Sequence, residues 1–186
     1  MASVVEICSN ALNMLGDDAI SSLDEDNDRA RLCKAFYDTT RDATLRAHPW
    51  NCALVYSEFS QLSAGAGHTW DYAYQLPSEP YCLRVWQAQY PDIKFRVVGR
   101  QVYTDESSFL AIYISRVTDP ALFDASLYMS LTARMAWAMA YPLTKSRFVM
   151  EQMRGYYGEQ MRIAKADDGQ EGTPNRMQAN ILAEVR

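Results

Sequence analysis

The chain is poor in the side chains that carry acid–base and covalent chemistry. It has only two histidines, His48 and His68, in 186 residues. One precedes a proline and the other sits in a Gly-rich stretch, so neither stands beside a Ser or Cys nucleophile with an orienting acid. GxGxxG, P-loop and HExxH motifs are all missing, which removes the motif-borne routes to dinucleotides, nucleoside triphosphates and hydrolytic zinc. The four cysteines, Cys8, Cys33, Cys52 and Cys82, are spaced 25, 19 and 30 apart with no CxxC. A zinc site or a redox dithiol needs closer ligands, so no cofactor or metal is expected and the cysteines read as buried free thiols. An excess of basic residues is also lacking. The formal net charge is -5, which argues against a basic nucleic-acid-binding domain. The N-terminus has no basic n-region and carries Glu6 within its apolar stretch. The most apolar segment, Ala121 to Leu143, holds Asp124 and Arg134. Neither a secretion signal nor a membrane span is expected, and the reading is a soluble protein made in the cytoplasm.

What is present suits one globular domain. The apolar fraction is 48% and the charged fraction 22%, ordinary values for a packed core, and the length is that of a single domain. Ser3-Val4-Val5-Glu6 forms a capping box opening a helix over about 3–15, and Gly16 suits the left-handed position that closes it. Six acids and no base follow between Asp17 and Asp28. Asp24, Asp26 and Asp28 imitate the start of a calcium loop. However, Arg29 stands where its glycine is needed and Ala35 where its glutamate is needed, so an EF-hand is excluded. The segment reads as a solvated linker whose acids favour the N-terminal end of the next helix.

That next helix, about 27–47, is the organising stretch. Ala30, Cys33, Phe36 or Tyr37, Thr40, Ala43 or Thr44 and Ala47 recur at helical spacing, while Arg31, Lys34, Asp38, Arg41, Asp42 and Arg46 fall on the opposite, wet face. Asp38 and Asp42 lie one turn apart. On a wet face they lack the apolar cleft that a pair of glycosidase carboxylates needs. Pro49 pushes His48 out of helical geometry, and Trp50 leads into an extended segment, so His48, Pro49 and Trp50 mark a structural junction.

Between about 50 and 117 the period falls from 3.6 to 2. Trp70, Tyr72, Tyr74 and Leu76 alternate as a half-buried strand. Gly99-Arg100 suits a tight hairpin turn, and Phe109 to Ile114, apolar on both faces, is expected at the centre of the sheet. One small antiparallel sheet inserted between helices is the expectation. Asp119 and Pro120 then cap a helix over about 120–141 that Pro142 stops. Ala133, Ala136 and Ala140 would let another helix approach closely. Thr144 or Ser146 opens a last helix, about 145–165, with Val149, Met153, Tyr156 or Tyr157, Met161 and Ala164 as its apolar positions. The fold class expected is mainly α with an inserted antiparallel β-sheet (α+β), built on a four-helix bundle core. Residues 1–165 form the domain and 166–186 a flexible C-terminal arm. Residues Asp167 to Pro174 are too polar to order themselves, yet Met177, Ile181, Leu182 and Val185 return apolar anchors beyond them.

Several stretches resemble one known family. They are Leu15-Gly16, Leu45-Arg46-Ala47-His48-Pro49-Trp50-Asn51, Trp70-Asp71-Tyr72-Ala73-Tyr74-Gln75-Leu76-Pro77, Cys82-Leu83-Arg84-Val85, Tyr113-Ile114, Val117-Thr118-Asp119-Pro120 and Phe123-Asp124. Together, from about Val5 to about Lys165, they look like the head-to-tail adaptor (connector) family of tailed bacteriophages, which includes the tail tubular proteins of short-tailed phages. Cys52-Ala53 departs from the pattern, where an aromatic would precede the alanine. The resemblance implies a structural virion protein and not an enzyme. It implies a dodecameric ring beneath the portal protein, joined to a tail nozzle or tail tube protein and continuing the channel for double-stranded DNA. Its place would be the virion neck, after assembly in the host cytoplasm. It also implies that the C-terminal arm, through Met177, Ile181, Leu182 and Val185, grips the portal. Asp24, Glu25, Asp26 and Asp28 would be interface or channel acids past which DNA slides without sticking. Two other classes stay open: a virion-associated peptidoglycan hydrolase, and a helical protein-binding module that forms no ring.

Overall fold

A computed structural model describes residues 3–63 and 69–170. Helix α1 (Val4–Met14) opens as the capping box requires, with the Glu6 N–H donating to Ser3 Oγ at 3.1 Å, and Gly16 follows it at φ 74°. Helix α2 (Asp28–Ala47) starts on Asn27, whose side chain accepts from the Ala30 N–H at 2.8 Å, and ends at an extended His48. Two further helices, α3 (Ala125–Thr144) and α4 (Arg147–Gln170), close the described chain.

The chain does not build a four-helix bundle core. Helices α1, α2 and α3 share one apolar cluster around Ile7, Leu12, Cys33, Tyr37, Leu131 and Met139. Helix α4 packs principally along α3 and fully buries only Met161 and Ala164. A bundle helix must face two neighbours, which needs an apolar stripe some 100° wide or more. Val149, Met153, Tyr157, Met161 and Ala164 make such a stripe, but its far end, Met161 and Ala164, packs with Trp50, Ala53 and Ile114 at the junction with the first sheet instead of completing a helical core.

The inserted segment forms two sheets instead of one. Strands β1 (Leu54–Glu58), β7 (Leu110–Ser115) and β4 (Cys82–Ala88) make the first, in the order β1-β7-β4. The second has the order β2-β3-β6-β5, from β2 (Ser60–Gln61), β3 (Tyr72–Gln75), β5 (Phe95–Val98) and β6 (Gln101–Thr104). All pairings are antiparallel. The chain changes sheet four times: at Phe59, whose N–H donates to Phe109 O at 2.9 Å, on either side of β4, and after Thr104. The sheets enclose a common aromatic core, where the Phe109 ring meets Phe59 (5.4 Å), Tyr74 (5.8 Å) and Phe95 (5.4 Å). Strand β7 is central in its sheet, as its two-sided apolar pattern requires. Gly99, at φ 59°, turns β5 into β6 with Arg100.

Both ends of α3 also differ from the sequence reading. Asp119 and Pro120 cap only a 3-10 turn, Pro120–Leu122, and α3 starts after Asp124, which accepts from the Leu127 N–H at 2.6 Å. Pro142 lies inside the last turn of α3, where it removes a single N–H bond. The helix ends instead at Lys145, at φ 53°.

Candidate functional site

The His48-Pro49-Trp50 junction is where the helices and the first sheet are joined. The Trp50 side chain is fully buried, in one cluster with Leu45, Ile114, Val117, Leu127, Met161 and Ala164. Its indole N–H donates to Thr44 O at 3.1 Å, which satisfies the one polar atom that burial would strand. The His48 ring stands edge-on to it at 4.9 Å. His48 Nε2 lies 2.7 Å from Asp168 Oδ2, while the Asn51 backbone N–H donates to Asp168 Oδ1 at 3.0 Å. The Asn51 side-chain amide donates to Asp168 O at 3.1 Å. Asp168 therefore fastens the last turns of α4 to the end of α2. The sequence reading left residues 166–170 to the arm, whereas they continue the helix. The signal was one of phase: Met161, Ala164 and Asp168 fall three and four residues apart, on one helical face.

A second tie was misplaced on the helical wheel. Arg41 is only 7% exposed and not on a wet face. It bonds Asp38 and Asp42, both at 2.8 Å, and Asp42 also holds Arg116 at 2.7 Å. Asp42 thus ties α2 to the segment after β7, a long-range pairing that helical spacing alone does not reveal.

Five of the six linker acids are engaged within the molecule. Asp24 pairs with Lys34 at 2.8 Å and Asp28 with Arg31 at 2.8 Å. Arg29 bridges Asp17 and Asp18, and its guanidinium holds the Asp17 carboxyl below the usual carboxylate range. Glu25 accepts from Ser21, Ser22 and Asn27 and so shapes its own loop. No side-chain bond to Asp26 is seen among the described residues. The apolar anchors Met177, Ile181, Leu182 and Val185 lie outside the described residues.

Little here suits covalent chemistry. Burial pushes the Cys52 and Cys82 thiols up to about 11 each, so they stay protonated and weakly nucleophilic. The neighbouring Cys33 thiol, which itself donates to Met139 Sδ at 3.6 Å, and burial raise the Cys8 thiol too. Among the described residues no group of three or more His, Cys, Asp or Glu side chains is placed to hold a metal ion, and no helix is long and apolar enough to cross a membrane.

The surface offers contact area. Tyr56 is 75% exposed and stands with Leu110 over a groove of about 430 Å³ on the first sheet. Phe148, 70% exposed, and Ile163 leave α4 with apolar side chains facing outward. No protein-family model matches the chain, and no curated protein matches it in sequence.

Proposed function

We propose that the protein is a structural head-to-tail adaptor of a tailed-phage virion, which assembles as a ring between portal and tail nozzle or tube. The observation that carries this reading is the convergence of its motif stretches. Leu45 and Trp50 from the His-Pro-Trp junction, Ile114 and Val117 from the Tyr-Ile and Val-Thr-Asp-Pro stretches, and α3 and α4 side chains share one core cluster. Stretches far apart in sequence thus serve one construction, a helix-to-sheet joint clamped by the end of α4. Such a joint fixes the helices against the first sheet, as a ring subunit that passes force between portal and tail requires. Exposed aromatic and aliphatic residues on the first sheet and on α4 are of the kind enriched at protein–protein contacts. The acidic balance suits a channel that releases DNA.

The arm supplies the direct test. A chain ending at Gln170, which keeps the Asp168 clamp, is expected to fold as the full protein does and to lose portal binding in a pull-down with the portal of its phage. Undiminished binding would remove the arm from the interface.

A further inference from the structure

A cleft of about 340 Å³ opens between β4, at the edge of one sheet, and the β5–β6 hairpin at the edge of the other. Four arginines line it: Arg46 from the end of α2, Arg84 from β4, Arg100 from the hairpin turn and Arg116 following β7. Folding holds them in place mostly through neutral acceptors. Arg100 donates to Cys82 O at 2.7 Å and to Pro77 O at 2.6 Å, Arg46 to Leu83 O, and Arg84 to Arg46 O at 3.2 Å. Arg100 and Arg116 each lie 4.1 Å from the centre of the Tyr81 ring, and Arg84 lies 4.9 Å from Trp86. Backbone oxygens and rings orient a guanidinium without cancelling its charge. Among the described residues only Arg116 meets a carboxylate, Asp42, and that carboxylate is shared with Arg41. Four like charges are therefore fixed around one small space, in a chain of net charge -5. Holding them there costs Coulomb energy that an incoming anion would relieve.

We propose that this cleft binds an acidic peptide segment of a partner protein, with its carboxylates among the guanidinium groups and its backbone extended along β5. A carboxylate matches the planar N–H fork of arginine in a bidentate pair. The cleft also has apolar wall, from Leu76, Val85 and Val97, suited to the stems between the acids. Cys82 and Leu83 of β4 already have carbonyls occupied by arginines, whereas β5 is an open edge whose Val97 and Val98 are 42% and 54% exposed. An extended segment added to such an edge gains main-chain bonds and places alternate side chains toward one face. Duplex DNA fits less well, because a duplex is held through many phosphate contacts distributed along its length and not gathered in one cleft. An acidic segment would be recognised here whether or not the chain forms a ring.

The test is fluorescence anisotropy of a labelled oligoglutamate peptide titrated with the full chain, with inorganic phosphate and a short DNA duplex as competing probes. Saturable peptide binding is expected, weakening with salt. Arg84→Glu should weaken it roughly tenfold or more, and Arg154→Glu on α4 should leave it unchanged. Arg84→Gln, which removes the charge and keeps a donor, should weaken binding in the same sense and serves if the reversed charge impairs folding. Absence of peptide binding, binding by both Arg84 variants as tight as that of the wild-type chain, tighter binding of the duplex, or a response to phosphate alone would each overturn the proposal.

Discussion

Glu25 accepts from the Ser21 hydroxyl (2.6 Å), the Ser21 and Ser22 backbone N–H groups (2.6 and 2.9 Å) and the Asn27 amide (2.7 Å). Those donors, the Ser21 hydroxyl foremost, pull its pKa from an ordinary 4.5 down to about 2. A carboxylate that is harder to protonate when folded adds stability that is complete above its unfolded pKa and is lost as pH falls toward the folded one. Wild-type and Glu25→Gln proteins should therefore differ in thermal midpoint at neutral pH and converge between about pH 4.5 and about 2. A gap of constant size across that range would show that the carboxylate charge contributes nothing there. At this scale the capping residues were legible, because Ser3 and Gly16 act through neighbours three or four residues away. The distant partners of Asp42 and Asp168 were not. Arg116 is 74 residues from Asp42, and Asn51 is 117 from Asp168.

Helix α4 is the element whose attachment most needs explaining, since it packs principally along α3 and fully buries only Met161 and Ala164. Its far end is held by Asp168, whose side chain is 7% exposed and bonded to both His48 and Asn51. Replacing Asp168 by Ala leaves a half-buried imidazole and a backbone N–H without their acceptor, at a cost of about 1–3 kcal/mol. The loss should be local. Hydrogen exchange is expected to speed up at residues 161–170 while α1 and α2 keep their protection, and uniform loss across all four helices would contradict the clamp. Most elements could be read from period and punctuation, including the β5–β6 turn at Gly99-Arg100 and the central place of β7. Their assembly could not. Alternating strands look the same whether they form one sheet or two, and the change of sheet at Phe59 depends on an aromatic core drawn from both. Pro142 misled for a similar reason: proline ends a helix only when the lost bond is not offset by packing, and Met139 and Ala140 beside it are fully buried on α3.

For the whole molecule, three apolar clusters divide the work. One joins α1, α2 and α3, one fills the space between the sheets, and the third, around Trp50, joins helices to sheet. The sequence pattern anticipated helices flanking a β insertion, but it placed the core among four helices. The third cluster is what the junction motif builds, and the adaptor reading rests on it. Electron microscopy of the full protein mixed with a tailed-phage portal protein, beside the protein alone, tests that proposal most directly. The account predicts rings of this chain stacked on the portal; a mixture showing bare portals and no ring of this chain would contradict it.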